Sequence, residues 1–341
     1  MVIRDVSRRA TARDVAQLAE VSVATVSLVA NGKSAGRVTP ETERRVRQAI
    51  AELDYRVNTT ASALAQGRRD TVAFVSPDPA NPFFSLVLDG IAATLDDSLS
   101  LTILWPRHNK DDDPGAVQRV LAGDLAGIIL AGPGTVLLDA ISPTCPTILL
   151  DSGESRPGMS SMDPDVESAG TAMADHLVGL GHTRVGYVGV TRDKSTFHHR
   201  RDALQRQLVA RGASLAVPDL IVERLAIPSA FEAAVGVLAE WVDAGITAVV
   251  CADDLVAYGV LQASEHLNIP VPAMLSVAGF NDLPFSTLAT PSLTSVDFAA
   301  RELGESAGRA LNQMLRGEGA PAPALIPAHI VARASTAQAR S

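Results

Sequence analysis

The stretch VSVATVSLVANG, residues 21–32, decides how the N-terminal part of the chain is read. Val23, Val26, Val29 and Ala30 recur at helical spacing, and Ser22 stands where a helix cap belongs. The residues between them, Ala24, Thr25 and Ser27, are small or hydroxylated, and Leu28 interrupts them. No charged side chain occurs in the dozen. That is an unusual surface for a solvent-facing helix, and its short side chains would let another molecule approach closely.

The neighbouring stretches supply two more helices. Thr11-Ala12-Arg13-Asp14 opens the first, with Thr11 as cap and Asp14 in the first turn. Its apolar face is Ala12, Val15, Ala16 and Ala19. Thr39-Pro40-Glu41 opens the third, which buries Val46, Ala49, Ile50 and Leu53. Two helices separated by so few residues turn sharply. A helix-turn-helix does this and presents its second helix to a DNA major groove. The short Ser22 and Thr25 would let that helix's free N–H groups and dipole reach phosphates. Any small three-helix core would show the same caps, so the pattern alone leaves both readings open. Candidate DNA contacts are Thr11, Ser22, Val23, Ala24, Thr25, Ser27, Leu28 and Asn31.

Next comes YRVNTTASALAQGRRD, residues 55–70. Asn58 is placed to cap a short helix that Gly67 ends, and a helix so short is marginal by itself. It is either a plain linker or a hinge that orders on binding, with Leu64 as a wedge for a base step.

The chain has 341 residues and a net charge of −9, distributed unevenly. Residues 1–70 hold 12 Lys/Arg against 8 Asp/Glu, and the rest hold 17 against 30. A basic end on an acidic body suits a polyanionic partner at that end. Apolar residues make up 47% and charged ones 20%, a globular composition with large cores. Cys145 and Cys251 have no zinc spacing and form no disulfide framework, so a reduced, cytoplasmic setting is expected. No signal-peptide core and no membrane-spanning run is legible.

From residue 71, apolar runs alternate with helical patterns. Strands are expected at 71–76, 101–105, 127–131, 147–151, 184–190, 248–252 and 275–280. Helices are expected at 83–97, 114–122, 166–180, 200–211, 229–244 and 253–267. The alternation predicts parallel sheets with crossover helices, too many units for one sheet and therefore two α/β lobes. Ligands in such folds bind at the carboxyl ends of strands, here in a cleft between lobes. The segments there carry Asn81, Phe83, Phe84, Asp165, the His198-His199-Arg200 run, Asp253-Asp254 and Asn281-Asp282. Each has a plainer role open to it, as a helix cap, a core residue or a surface pair. A core role is expected for Trp105 and Trp241.

Taken together, RDVAQLAEVSVATVSLVANG, TPETERRV, NTTASALAQG, NPFF (81–84), GIILAG (127–132), HLVGLGHTRVGYVG (176–189), CADDLVAYGVL (251–261), LSVAGFNDLP (275–284) and ATPSLTSVD (289–297) resemble the lactose-repressor (LacI/GalR) family of bacterial transcription regulators. The resemblance implies an α plus α/β fold: a helix-turn-helix head (1–57), a hinge helix and linker (58–70), and a two-lobed periplasmic-binding-protein-like (type I) body (71–341). The lobes would span about 71–164 with 298–324, and about 165–297 with 325–334. It implies a regulator, most simply a repressor, that binds a pseudo-palindromic operator as a dimer, with a tetramer also open. A small-molecule effector, a sugar or sugar derivative, would occupy the cleft. Leu64 becomes the minor-groove wedge with Ala61 beside it. Arg200, Asp253 and Asn281 become effector ligands, with Asp165, Phe83 and Phe84 at matching positions.

The chain departs from the family pattern at several points. Leu28 stands where the family commonly has arginine, which can pair bidentately with guanine. Readout by base hydrogen bonds is therefore expected to be thin, with specificity leaning on thymine methyls, hinge-driven deformation and half-site spacing. Asp253-Asp254 and Asn281-Asp282 exchange the family's Asn-Asp and Asp-Asp strings. Leu225 stands near where some relatives carry a stacking aromatic. Glu20 occupies a turn that often holds glycine. No enzyme signature, metal site or cofactor is expected, and no membrane partner. The competing reading is a solute-binding protein for a small polar ligand without a DNA role, which would leave the first 70 residues unexplained.

Overall fold

The computed structural model describes residues 10–30, 32, 34–55, 69–105, 124–134, 138–139, 144–154, 156–191 and 195–340. Two compact units are present, residues 1–69 and 70–341. The expected hinge contacts Asn58, Ala61 and Leu64, the groove candidate Asn31 and the helix at 114–122 lie outside the described residues.

The first unit is built on helices α1 (Ala12–Leu18), α2 (Val23–Ala30) and α3 (Pro40–Glu52). Thr11 and Asp14 cap α1 reciprocally, each satisfying the other's backbone N–H. Ser22 Oγ accepts from the Thr25 N–H at 3.1 Å and caps α2. Thr39 caps α3, with Pro40 at its first position. One buried cluster joins them: Val15, Ala16 and Ala19 of the first turn region, Val26 and Val29 of α2, Val46 and Ala49 of α3. Ile50 and Leu53, expected in that core, are only half-buried at its edge. Glu20 sits at φ +54°, the conformation the turn demands and glycine adopts freely.

The second unit contains two sheets. The first has the order β12-β5-β4-β3-β1-β2 and is parallel throughout. Its strands are β1 (Thr71–Val75), β2 (Ser100–Leu104), β3 (Gly127–Ala131), β4 (Thr147–Leu150), β5 (Ser160–Pro164) and β12 (Ala324–Ile326). The second has the order β13-β11-β10-β9-β6-β7, with β8 also paired to β6. These are β6 (Arg184–Val190), β7 (Ser214–Leu215), β8 (Leu220–Val222), β9 (Ala248–Cys251), β10 (Ser276–Phe280), β11 (Thr294–Asp297) and β13 (His329–Val331). Only β13 runs antiparallel to its neighbour among these pairs. The helices are α4 (Pro82–Thr94), α5 (Val166–Gly179), α6 (Ser195–Ala210), α7 (Ile227–Val235), α8 (Leu238–Asp243), α9 (Asp254–His266) and α10 (Ala300–Leu315).

All seven strands expected from the sequence form, within a residue at each end. Several elements escaped it. Strand β5 reads SSMDP, which resembles a turn, yet all five residues are buried. Helix α10 has no start signal: Ala299 precedes it in the left-handed region and contributes no side-chain cap. The single helix expected over 229–244 breaks after Val235 into α7 and α8. The return to the second lobe falls between Ile326 and His329 rather than after residue 324, because Ala324–Ile326 pairs with Met162–Pro164. Trp241 is buried as expected, but Trp105 is 50% exposed just beyond β2, the edge strand of its sheet among the described residues.

Helices α4 and α10 pack closely because glycines stand at their crossing. A Cβ on Gly304 would lie 2.0 Å from the Val87 carbonyl oxygen, and one on Gly90 2.0 Å from that of Arg301. No rotamer relieves a clash with backbone. Gly304→Ala is therefore expected to destabilise the body by about 1–3 kcal/mol despite alanine's higher helix propensity. Gly179→Ala, at a helical site with nothing within 4 Å of the added carbon, should be neutral or stabilising. Urea midpoints of the two variants check this; equal midpoints would refute the close-packing account.

Candidate functional site

Five strand ends deliver polar side chains to one place between the lobes. Asn81 follows β1, Asp151 follows β4, Arg200 lies on the helix after β6, Asp253 follows β9 and Asn281 follows β10. All five are buried. Asn81 Oδ1 accepts from the Phe83 N–H at 3.0 Å, capping α4, while its Nδ2 donates to Asp253 Oδ2 at 3.1 Å. Asp253 Oδ1 likewise caps α9 through the Leu255 N–H at 2.8 Å. Its Oδ2 also accepts from Asn281 Nδ2 at 2.7 Å. Helix caps thus position Asn81 and Asp253, and the second polar atom of each enters the network.

Arg200 is the buried cation of this network, 2% exposed. Its Nη2 faces Asp151 Oδ1 at 3.4 Å, and its Nη1 faces Asn281 Oδ1 and the Ala252 carbonyl, each at 3.4 Å. These are long contacts and weak as hydrogen bonds. The guanidinium carbon lies 4.4 Å from the Phe298 ring centroid and 5.3 Å from that of Phe197, within cation–π range. Thr196 Oγ1 donates to Asp151 Oδ1 at 2.8 Å. Arg200 Nε and the buried Ser76 Oγ have no hydrogen-bond partner among the described residues. Burial pushes the Asp253 carboxyl above the usual range, opposed by the Leu255 N–H, Arg200 and Asn81.

Below this network lies Asp254, fully buried. Its Oδ1 accepts from Ser295 Oγ at 2.6 Å, and its Oδ2 from the Leu283 N–H at 2.7 Å and Ser286 Oγ at 2.8 Å. A Cβ on Gly279 would stand 2.2 Å from Asp254 Oδ1, so only glycine leaves room for the carboxylate there. From the other side Arg333 clamps Asp282 through Nη1 at 2.5 Å and Nη2 at 3.1 Å. The loop so held carries Asn281 and Asp282 at φ +105° and +47°. Asn281 keeps its place through this clamp rather than through its own backbone preference.

The sequence-derived candidates separate on this geometry. Asn81, Arg200, Asp253 and Asn281 come together. Phe83 and Phe84 follow Asn81 directly and are both buried, edge to face at 5.3 Å, in the apolar cluster that also holds Phe298. Leu225 is buried in the second lobe's core with Val222 and Ala230, where an aliphatic side chain finds apolar neighbours. Asp165 caps α5 through the Ser168 N–H at 3.0 Å, and also lines a cavity with Asp151, Asp163, Thr196 and His199. The reading missed Asp151, Thr196 and Ser76; Asp254, a candidate with Asp253, lies beneath the network rather than in it. Asp151 and Ser76 were legible, since each ends an apolar run and strand ends were already the rule for ligand positions.

In the head, Val23 is 45% exposed. Ser22, Ala24 and Ser27 are also exposed, and Thr25 and Leu28 are half-buried. Thr11 is exposed at the start of α1. Arg44, Arg45 and Arg47 are exposed on α3.

Comparison with known proteins agrees with both units. Residues 11–58 match the description "Bacterial regulatory proteins, lacI family", and residues 174–336 match "Periplasmic binding protein-like domain". The HTH-type transcriptional regulator MalR of Streptomyces coelicolor is 30% identical over 96% of this chain and 96% of its own. A lac repressor dimer bound to operator and the anti-inducer ONPF has the same fold, with a TM-score of 0.80 at 24% identity over 97% of this chain and 100% of its own. A complex of the transcriptional regulator CelR with cellobiose superposes with a TM-score of 0.69 at 25% identity, over 96% of this chain and 100% of its own.

Asp254 yields a pH prediction. Burial pushes its carboxyl from 3.8 to about 8, with Asp253 adding to the rise and the three donors opposing it. A raised acid binds more protons folded than unfolded between those two values. Its contribution to stability is therefore present below 3.8 and is lost as pH rises through about 8. Urea titrations at pH 5 and pH 8 should show wild type losing more stability over that interval than Asp254→Asn. An identical loss in both would refute the assignment.

Proposed function

Starting from the chain's membership of the lacI family of bacterial regulatory proteins, we propose that it binds a pseudo-palindromic operator as a dimer and answers to a neutral, polyhydroxylated effector held between its lobes. A DNA-binding transcriptional regulator with a ligand-binding body is what the family is; the operator symmetry, the effector and the residue roles are the proposal. The buried polar network carries it. Carboxylates accept, the guanidinium donates, and amides do both, which suits hydroxyl groups that also do both. Arg200 Nε and Ser76 Oγ, buried and unpartnered among the described residues, are capacity for further bonds. One buried cation already faces Asp151 and lies close to Asp253, so a net anion would find no uncompensated positive charge. A sugar or sugar derivative meets these demands, and a relative of this fold is seen with cellobiose.

On this reading Asn81, Arg200, Asp253 and Asn281 contact the effector, with Asp151 and Asp165 at the margin. The exchange of Asp and Asn between positions 253 and 281 keeps a complementary pair, because the Asn281 amide donates to the Asp253 carboxylate at 2.7 Å. Asn81–Asp253 and Arg200–Asp151 join the lobes directly. An effector replaces those bonds and so shifts the balance between lobe arrangements by its differential affinity for them. Moving that balance from 1:99 to 99:1 requires about 5.5 kcal/mol. In the head, Thr11, Ser22, Val23, Ala24, Thr25, Ser27 and Leu28 face DNA, joined by Asn31 and by Asn58, Ala61 and Leu64 of the hinge. A solute-binding protein without a DNA role leaves the head without a purpose.

Fluorescence anisotropy on duplexes selected from a randomised library tests the DNA half. Affinity should fall steeply with salt, as phosphate contacts require. Leu28→Arg should change which duplex is preferred while leaving salt-sensitive binding intact. Salt-insensitive affinity would sink the reading. For the cleft, a thermal-shift panel of neutral mono- and disaccharides should contain a stabilising compound, by roughly 2.7 kcal/mol at one hundred times its Kd. Arg200→Met should abolish that shift and keep DNA binding; a shift of equal size in the variant would move the site elsewhere.

A further inference from the structure

The face that α2 offers to a groove is apolar at three of its four positions, with Val23 and Leu28 at its edges and Ala24 and the hydroxyl residue Ser27 between them. At 100° per residue, Val23, Ser27, Ala24 and Leu28 fall within about 140° of one another. Val26 and Val29, both buried, lie on the opposite side. Val23 is 45% exposed, and Leu28 is half-buried beside Ala24. The helix carries no acidic residue in its first turn and no basic residue in its last. Nor are the hydroxyls at its start left over for bases. Ser22 Oγ takes the Thr25 N–H at 3.1 Å and lies 2.9 Å from Thr25 Oγ1, so both belong to the cap.

A major groove shows such a face one apolar feature. Guanine and adenine present acceptors, and cytosine and adenine present amino donors. Thymine adds the C5-methyl group. A polar base edge pressed against valine loses water and gains no partner, which costs free energy. A methyl pressed against valine gains about fourfold in affinity, the equivalent of one buried methylene.

We infer that Val23, the exposed branched side chain at one edge of this face, reads the C5-methyl group of a pyrimidine in each half-site, so that 5-methylcytosine satisfies the contact as thymine does. The inference rests on the DNA-binding reading above. It moves the specificity determinant from Leu28, the residue that departs from the family, to Val23, the residue that the fold exposes. It also makes operator recognition sensitive to cytosine methylation, since the head senses the methyl and not the pairing partner beneath it.

The test uses the full chain and a duplex enriched from a randomised library. Thymines of both half-sites are replaced one symmetric pair at a time by deoxyuridine, which removes only the methyl. At one pair affinity should fall about fourfold per half-site, on the order of sixteenfold for both. Replacing that T·A pair with C·G and then methylating the cytosine should restore a similar factor between the two cytosine duplexes. Val23→Ala should bring the thymine-to-uracil ratio toward one without unfolding the head, because Val23 lies outside its core. Val23→Ile should preserve the ratio. Uracil duplexes that all bind within twofold of the parent overturn the inference and leave DNA binding standing. So does an enriched half-site whose required base opposite α2 is guanine. Failure to enrich any duplex, together with salt-insensitive binding, overturns the DNA-binding reading as well.

Discussion

A guanidinium buried to 2% exposure has to be compensated, and much of the body's arrangement follows from that of Arg200. Asp151 provides charge from the first lobe, Asn281 and the Ala252 carbonyl provide acceptors from the second, and Phe298 provides a ring face. Removing one partner of such a buried pair costs about 3–5 kcal/mol, because the other charge is left uncompensated. The lobes are therefore coupled through an ion pair neither can abandon cheaply. On the proposed reading, a molecule that offers Arg200 an equivalent acceptor substitutes for Asp151, and occupancy of the cleft then changes lobe geometry.

The network depends on an underlying scaffold that has no direct part in it. Asp254 binds two donors from the segment after β10 and one from β11, and thereby fixes the strained turn at Asn281 and Asp282. Arg333, near the end of the chain, closes the same turn from the far side. The last strand and the residues after it are tied to this lobe in other ways too. Buried His182 lies 2.8 Å from Thr247 Oγ1 and 3.0 Å from the Ala337 carbonyl oxygen, and burial holds its imidazole below the usual range. Cleft and C-terminal segment are thus parts of one hydrogen-bonded assembly.

The head works on a different economy. The seven residues of its buried apolar cluster are alanines and valines, and its helices are short, so caps carry much of their definition. The cost of compactness is visible at Glu20, held at positive φ without glycine's freedom. What the head gains is a helix α2 whose exposed side chains, Ser22, Val23, Ala24 and Ser27, are short, as the proposed close approach to DNA requires.

Much of this was legible in the sequence. Caps, helical spacing and apolar runs depend on neighbours along the chain, so the three head helices, the seven principal strands and the two-lobed plan could be read locally. The strand-end rule reached Asn81, Asp253 and Asn281, and the family resemblance singled out Arg200. Three things were decided only by the tertiary structure. Phe83, Phe84 and Leu225 belong to cores because other elements pack over them, which no local pattern records. Asp151 and Asp254 matter because of partners 49 and between 29 and 41 residues away in sequence. The polar SSMDP strand and the uncapped helix α10 exist because a neighbouring strand and a glycine-lined groove receive them. Local chemistry specifies elements and their ends, whereas burial and partnership between distant residues arise only when those elements meet.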